Sequence, residues 1–336
     1  LLLTLDEETG LTGAKNLDAS MITGRTLLNL DSEEDGVIYV GCAGGSDVHL
    51  SLPATHESRA AGLEPYLLEI TGLRGGHSGL NIGENRGNAV ALLARILHAA
   101  IENDVPFQIS RIVGGDKHNA IPREAEAIVW LDGDARERLD GIVACMLEGY
   151  RDEVKGVDDR LAIELRSTED DGVAVLNLDA RNRLVRLLMS LPHGVLAMSG
   201  DIEGLVETSS NLAAVRHDGS TVTILTSSRS SVGSALQSVL DAIVASGRLA
   251  GFDVEVEVGY PGWKPDLESP VLAVVRDVYT ELWGKPAEVT AIHAGLECGL
   301  IGERLPGMDM VSFGPQIEGA HSPEERVQIS SVARFW

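Results

Sequence analysis

Cysteine is nearly absent from this chain. Cys42, Cys145 and Cys298 are its three, far apart and without a C-x-x-C pair. That argues against a structural thiolate zinc site, and an odd, scattered set fits a reducing compartment. Positive charge is also scarce: 27 Lys and Arg stand against 51 Asp and Glu, a net charge of −24. Such an acidic chain argues against nucleic acid and anionic membrane as partners. It leaves open a soluble cytosolic enzyme or a high-salt habitat. No apolar run reaches the roughly 18 residues that span a bilayer, and no secretory signal pattern is present. No long Gly/Ser linker marks a domain boundary. Met is missing from position 1, where Leu1 opens an apolar run that reads as a core strand. The expectation is therefore that sequence precedes it.

What is present is enough for a sizeable core: 336 residues, 44% of them hydrophobic, long for one domain and comfortable for two. Two stretches organise the chain, LLLTLDEETG at Leu1–Gly10 and TLLNLDSEEDG at Thr26–Gly36. Each is a short apolar run ending in carboxylates. Leu1–Leu5 and Leu27–Leu30 read as buried strands, and the segment between them could hold a short helix, giving two parallel strands of one sheet. Ligands of open α/β sheets bind beyond the carboxyl ends of the strands, which puts Glu7, Glu8 and Asp31 on one rim. Converging carboxylates repel, and a divalent cation is the simplest way to hold them. A solvated acidic turn is the alternative.

Val37–Gly45 reads as a third strand, and Ser46–Gly62 as a crossing into a second domain. There, a strand at Tyr66–Leu73, a helix at Arg86–Asn103 with Val90, Leu93, Ile96 and Leu97 on one stripe, strands at Phe107–Val113 and Ala125–Leu131, a helix at Leu139–Val154 and a strand at Leu161–Leu165 spell β-α-β-β-α-β. The order recurs from Val173–Leu176, through helices at Ala180–Leu191 and Ser231–Ser246, to Asp253–Val258. Strands are expected near Gly194–Met198 and Thr221–Thr226. After YPGWKP at Tyr260–Pro265 come a helix at Ser269–Trp283, strands at Glu288–His293 and Met308–Phe313 and a short helix at Leu296–Gly302. This last third resembles the first fifty residues. The fold expected is α/β: a mainly parallel-sheet domain of residues 1–47 and 260–336, interrupted by an inserted α+β domain of two ferredoxin-like units, residues 48–259.

Several side chains could carry chemistry. His321, in GAHSP, follows a strand end in the same domain as Glu8 and Asp31, and two carboxylates with an imidazole make a reasonable zinc set. RGGHSG at Arg74–Gly79 exposes His77 among glycines that let backbone approach a ligand. GGDKHNAIP places His118 and Asn119 at a strand junction. Arg229, in SSRSS, can fork onto a carboxylate, and Glu297, in HAGLECG, sits beside His293. Each has a plainer reading: a tight turn, a surface Arg, a helix-start carboxylate.

In one order, DEETG, LNLDSEEDG with Glu8 and Asp31 23 residues apart, GCAGG, RGGHSG, GGDKHNAIP, YPGWKPD, HAGLECG and FGPQIEGAHSP resemble the aminoacyl-histidine dipeptidases of the carnosinase-like di-zinc peptidase superfamily. The resemblance covers essentially the whole chain. It implies metal-dependent hydrolysis of dipeptides, Xaa-His and carnosine-type ones included, in a cytoplasmic homodimer joined through the inserted lid. Two Zn2+ ions would serve each site, with Mn2+ or Co2+ as possible substitutes. It implies Glu7 as general base, Glu8, Asp31 and His321 as metal ligands, and His77 as a lid histidine that reaches the partner's active site to stabilise the oxyanion. Asn119 and Arg229 would hold the substrate's C-terminal carboxylate, and Glu297 would meet its amino group. The family's H-x-D pair and bridging Asp are not in this sequence, and its final helix would lie past Trp336. A fragment is therefore expected, and residues 1–336 alone are expected to bind metal weakly and hydrolyse no dipeptide. A non-catalytic peptide-binding remnant, or an aminoacylase or tripeptidase of the same superfamily, are the other readings.

Overall fold

The computed structural model describes residues 1–217, 219–320 and 323–336, without the side chains of Glu8 and Thr9. Two main sheets divide the strands. The smaller has four, in the order Thr26–Asn29, Asp309–Ser312, Val37–Cys42, Glu288–Ile292. Its outer pairs are parallel, Thr26–Asn29 with Asp309–Ser312 and Val37–Cys42 with Glu288–Ile292, while the middle pair touches antiparallel at Ser312 and Tyr39. Strands from both ends of the chain thus meet in one sheet, as the return of pattern in the last third implied. Leu1–Leu5 does not join it. Its residues form no strand, and Leu1, Leu3 and Leu5 are exposed. Apolar character says what a strand would bury, but a strand also needs a ladder partner for its backbone groups. Helix Pro270–Trp283 covers the small core with Val271 and Leu272, whereas its Val274, Val278 and Leu282 stand exposed.

The larger sheet contains both ferredoxin-like units. The first is Glu64–Thr71, helix Ala89–Glu102, Gln108–Gly114, Ala125–Leu131, helix Gly133–Glu153 and Ala162–Ser167. Its strands lie fourth-first-third-second across the sheet. The second repeats that order, with one difference from the sequence reading. Its first strand is Gly44–Pro53, not Val173–Leu176. Val175–Leu176 pairs instead with His56–Glu57 in a separate two-stranded sheet. The first unit is thus inserted between the first strand and first helix of the second. The second unit's strand Val206–His217 was also not foreseen, and it joins the halves by pairing with Gln108–Gly114.

Helix starts are set by side chains that accept from the first turn: Asn88 from Ala91 N at 3.0 Å, Asp132 from Ala135 N at 2.8 Å and Asn177 from Ala180 N at 2.8 Å. The stripe Val90, Leu93, Ile96 and Leu97 is wholly buried in one continuous core under the large sheet. Gly115 turns the chain where the halves meet, at φ +66, and a Cβ there would fall 1.9 Å from the Ala213 carbonyl oxygen. Gly115→Ala is expected to destabilise by about 3 kcal/mol, from the left-handed backbone and the collision together. Chemical denaturation would read this as a lowered midpoint at unchanged slope.

Candidate active site at the junction of the sheets

The first carboxylate is placed by a tight turn. Helix Glu7–Gly10 is a single turn flanked by Asp6 and Leu11, both left-handed at φ 58 and 56. These two are among four non-glycine residues with positive φ in the described chain. Such strain persists where surroundings over-determine it, often at functional sites. Thr12 Oγ1 donates to Asp6 Oδ2 and steadies the turn. Glu7 lines two neighbouring cavities. One, of about 820 Å3, also holds Asp31, Thr4 and Glu297. The other, of about 460 Å3, also holds Asp47, His118, Ser227, Arg229, Glu257 and Tyr260.

In the first cavity Asp31 follows strand Thr26–Asn29, and Glu297 opens helix Glu297–Arg304 after strand Glu288–Ile292. Glu297 is 6% exposed. Thr4 Oγ1 donates to its Oε2 at 2.8 Å, while Oε1 is buried with no hydrogen-bond partner among the described residues. Burial raises the Glu297 pKa, the Thr4 bond opposes this, and the charge of Asp31 adds to the rise. A buried carboxylate with an orphaned oxygen, within the field of a second carboxylate, is relieved by a cation. The Glu297 carboxylate therefore suits a cationic group, and the donor chemistry of Asp31 beside it fits a divalent metal. Three or more metal-ligating side chains do not converge among the described residues. The Glu8 side chain and His321, both expected ligands, lie outside the described residues.

Two adjacent strands, Gly44–Pro53 and Thr221–Ser230, bring Asp47, Ser227 and Arg229 to the second cavity. Arg229 is 7% exposed, its Nε has no partner among the described residues, and one terminal nitrogen donates to Tyr260 Oη at 2.7 Å. Asp47 pairs with His118 at 2.8 Å. Burial pushes the Asp47 carboxyl up, but hydrogen bonds from His118 and Ser227, with the charges of His118 and Arg229, outweigh it and hold the pKa below the usual range. The Asp47 bond raises His118 against its own partial burial. The pair thus keeps its charges between the lowered Asp47 and raised His118 values. Nearby, Ser209 Oγ and His293 Nε2 lie 2.7 Å apart, tying strand Val206–His217 to the loop after Glu288–Ile292.

His77 and Asn119 sit together elsewhere. Gly76–His77 pairs with Ala120–Ile121, and Ser78 N donates to the Asn119 carbonyl at 2.8 Å. Neither lines the cavities of Glu7. Gly79 lies against the His293 carbonyl, where a Cβ would come within 2.4 Å, so the His77 loop abuts the 293–297 segment. Of the expected residues, then, Glu7, Asp31 and Glu297 share one cavity, Glu7 and Arg229 share the next, and His77 and Asn119 lie together where Gly76–His77 pairs with Ala120–Ile121. Asp47, Tyr260 and Ser209 were not singled out from sequence. The signal was available for Tyr260 in YPGWKP, and for Ser209 in ETSSN, a polar run inside a strand of otherwise apolar surroundings.

His293 carries a pH consequence. Burial, then the charge of Arg229, lowers its pKa to about 4, a carbonyl contact from Val206 opposing, so the ring is neutral near pH 7. An unfolded His titrates near 6.5 and takes a proton first as pH falls. Its contribution is therefore complete above about 6.5 and lost between 6.5 and 4, about 3 kcal/mol in all. Urea denaturation in chelator from pH 7.5 to 4.5 is expected to lose stability more steeply for wild type than for His293→Gln. Parallel curves would contradict the assignment.

Comparison with known proteins places these features. The model of peptidase family M20/M25/M40 matches residues 1–335. The chain is 40% identical over 336 residues to the cytosol non-specific dipeptidase of Escherichia coli strain K12, covering 100% of this chain and 69% of that protein. The crystal structure of the aminoacylhistidine dipeptidase from Vibrio alginolyticus superimposes with a TM-score of 0.94 at 39% identity, covering 99% of this chain and 68% of that one. No helix among the described residues is long and apolar enough to cross a membrane.

Proposed function

The chain belongs to peptidase family M20/M25/M40, and from that premise we propose that it hydrolyses dipeptides, Xaa-His and carnosine-type ones included, in a metal-dependent reaction in the cytoplasm. The observation that carries this reading is the 40% identity, along all 336 residues, to a protein named as a non-specific dipeptidase. The neighbouring cavities support it: one is rich in carboxylates, the other holds a buried guanidinium, and Glu7 stands on the wall of both. Together they suit a short zwitterion. The catalytic part is drawn as residues 1–47 and 260–336, on the small sheet, and the lid as 48–259, with the polypeptide crossing between them inside strand Gly44–Pro53.

Metal would be held by Glu8, Asp31 and His321 as two Zn2+ ions per site, with Mn2+ or Co2+ able to substitute. Bound there, metal supplies a polarised scissile carbonyl and an acidified water. The remaining work falls to side chains of the chain. Glu7 takes the water's proton and returns it to the leaving amine. Arg229 and Asn119 hold the substrate's C-terminal carboxylate, Arg229 through nitrogens that burial keeps from water. Glu297 receives the ammonium end. His77, from the partner subunit of a lid-joined homodimer, donates to the developing oxyanion. Release of free amino acids from a dipeptide panel, with bound metal quantified in the native gene product, tests the whole reading. Turnover of acylated amino acids in preference to dipeptides would overturn it.

A further inference from the structure

The loop that carries His77 is held more tightly than a surface turn requires. Both its ends are gripped by one buried carboxylate: Asp158, 1% exposed, accepts from Arg74 N at 2.6 Å and from Gly87 N at 2.7 Å. Inside the loop a relay of side chains closes back on the backbone. His77 N donates to Asn81 Oδ1 at 2.9 Å, Asn81 Nδ2 donates to Glu84 Oε1 at 2.7 Å, Arg86 pairs with Glu84 at 2.8 Å, and Arg86 also donates to the Gly75 carbonyl. Gly76, at φ +140, leaves no room for a Cβ, which would meet Arg86 and Asn81 at 2.2 and 2.7 Å.

The imidazole is fixed by the same loop. Two backbone N–H groups, of Gly79 and Leu80, both donate to His77 Nδ1 at 3.1 Å. Backbone nitrogens can only donate, so Nδ1 must present its lone pair, and the proton of the neutral ring is on Nε2. A neutral histidine anchored this way carries its one N–H on Nε2 and has no lone pair left there to act as a base.

We propose that loop 74–87 is a preorganised mount that fixes His77 as an Nε2–H hydrogen-bond donor, with Asn81 and Asp158 as its positioning residues. The proposal rests on the reading above, in which His77 meets the carbonyl oxygen of a dipeptide. A donor aimed in advance needs no reorganisation as charge develops, and small misplacements of such groups are costly. Asn81 sets the height of the His77 backbone, and Asp158 sets the distance between the loop's two ends.

Two measurements decide it. In the native protein labelled with 15N-histidine, the His77 ring is expected to show the Nε2–H tautomer at neutral pH. An Nδ1–H ring would overturn the proposal, and this arm needs neither activity nor a substituted protein. The second arm is a double-mutant cycle on dipeptide turnover. His77→Ala is expected to lower kcat about 10²- to 10³-fold. Asn81→Ala should lower it about tenfold at similar KM and metal content. Adding Asn81→Ala to His77→Ala should cost nothing more, because the residue it positions is gone. Asp158→Asn, which keeps the side chain's shape but turns a donor toward one end of the loop, should behave like Asn81→Ala in the same cycle. Losses that multiply in the double variants would mean that Asn81 and Asp158 act on stability alone. If no dipeptide is hydrolysed, the functional reading fails while the tautomer still reports on the mount, so the two failures are separable.

Discussion

Glu7→Gln is expected to leave bound metal unchanged and to lower kcat by about 10²- to 10⁴-fold, the usual range for loss of a general base. Glutamine keeps the size and polarity of the side chain but cannot take a proton. The turn that presents Glu7 is anchored by Asp6, Leu11 and Thr12, so the fold should survive. Glu8→Gln should do the reverse and lower metal occupancy, since the reading makes it a ligand. Measuring kcat and metal stoichiometry together for both variants separates the roles. Equal metal loss in the two would show that the neighbours share one task. The pH profile adds a check: loss of the base should remove the acidic limb of kcat/KM at matched metal occupancy.

Much of this arrangement was legible in the sequence because local rules and tertiary context agreed. Helix Ala89–Glu102 combines an Asn cap with a stripe that is fully buried, and strand Ala125–Leu131 has its expected ends. The places that were not legible have a common physical origin. Strand Val206–His217 buries Thr208, Ser209, Ser210 and Asn211, so its polarity hid it. Those groups are tolerated because they find partners: across the sheet, Thr208 with Ser230 at 2.8 Å and Ser210 with Ser228 at 3.1 Å, and outside it, Asn211 donating to the Ala120 carbonyl at 2.8 Å. The first strand of the second unit was misplaced because Val175–Leu176 is apolar and lies where the repeat would want it. The true first strand, Gly44–Pro53, stands more than a hundred residues upstream of the unit's first helix. A two-residue apolar run carries no information about its partner. In the site, carboxylates after strand ends were readable from topology, whereas the grouping of Asp47 and Tyr260 with Arg229 depends on how the sheets meet, which no local pattern encodes.

Arg229→Met should raise KM for dipeptides about 10²- to 10³-fold with a smaller change in kcat. Methionine fills a similar apolar volume but offers no donor. Arg229 lies on a central strand, its pairing partners being Ser209 and Gly45 in neighbouring strands, so its position is set by the sheet rather than by a flexible loop. Removing one member of a buried, hydrogen-bonded charge pair commonly costs about 2–5 kcal/mol, or about 30- to 5,000-fold, which brackets that range. Part of the guanidinium's capacity is already used on Tyr260 Oη, and Tyr260→Phe should therefore shift KM by less, about tenfold or below. The split between KM and kcat identifies the role, because a group that holds substrate and transition state alike changes binding alone. Substrates whose C-terminal carboxylate is amidated provide the complementary test. They should be poor for wild type and should lose little further with Arg229→Met. If amidated and free dipeptides suffer equally from the substitution, the guanidinium recognises something other than the carboxylate.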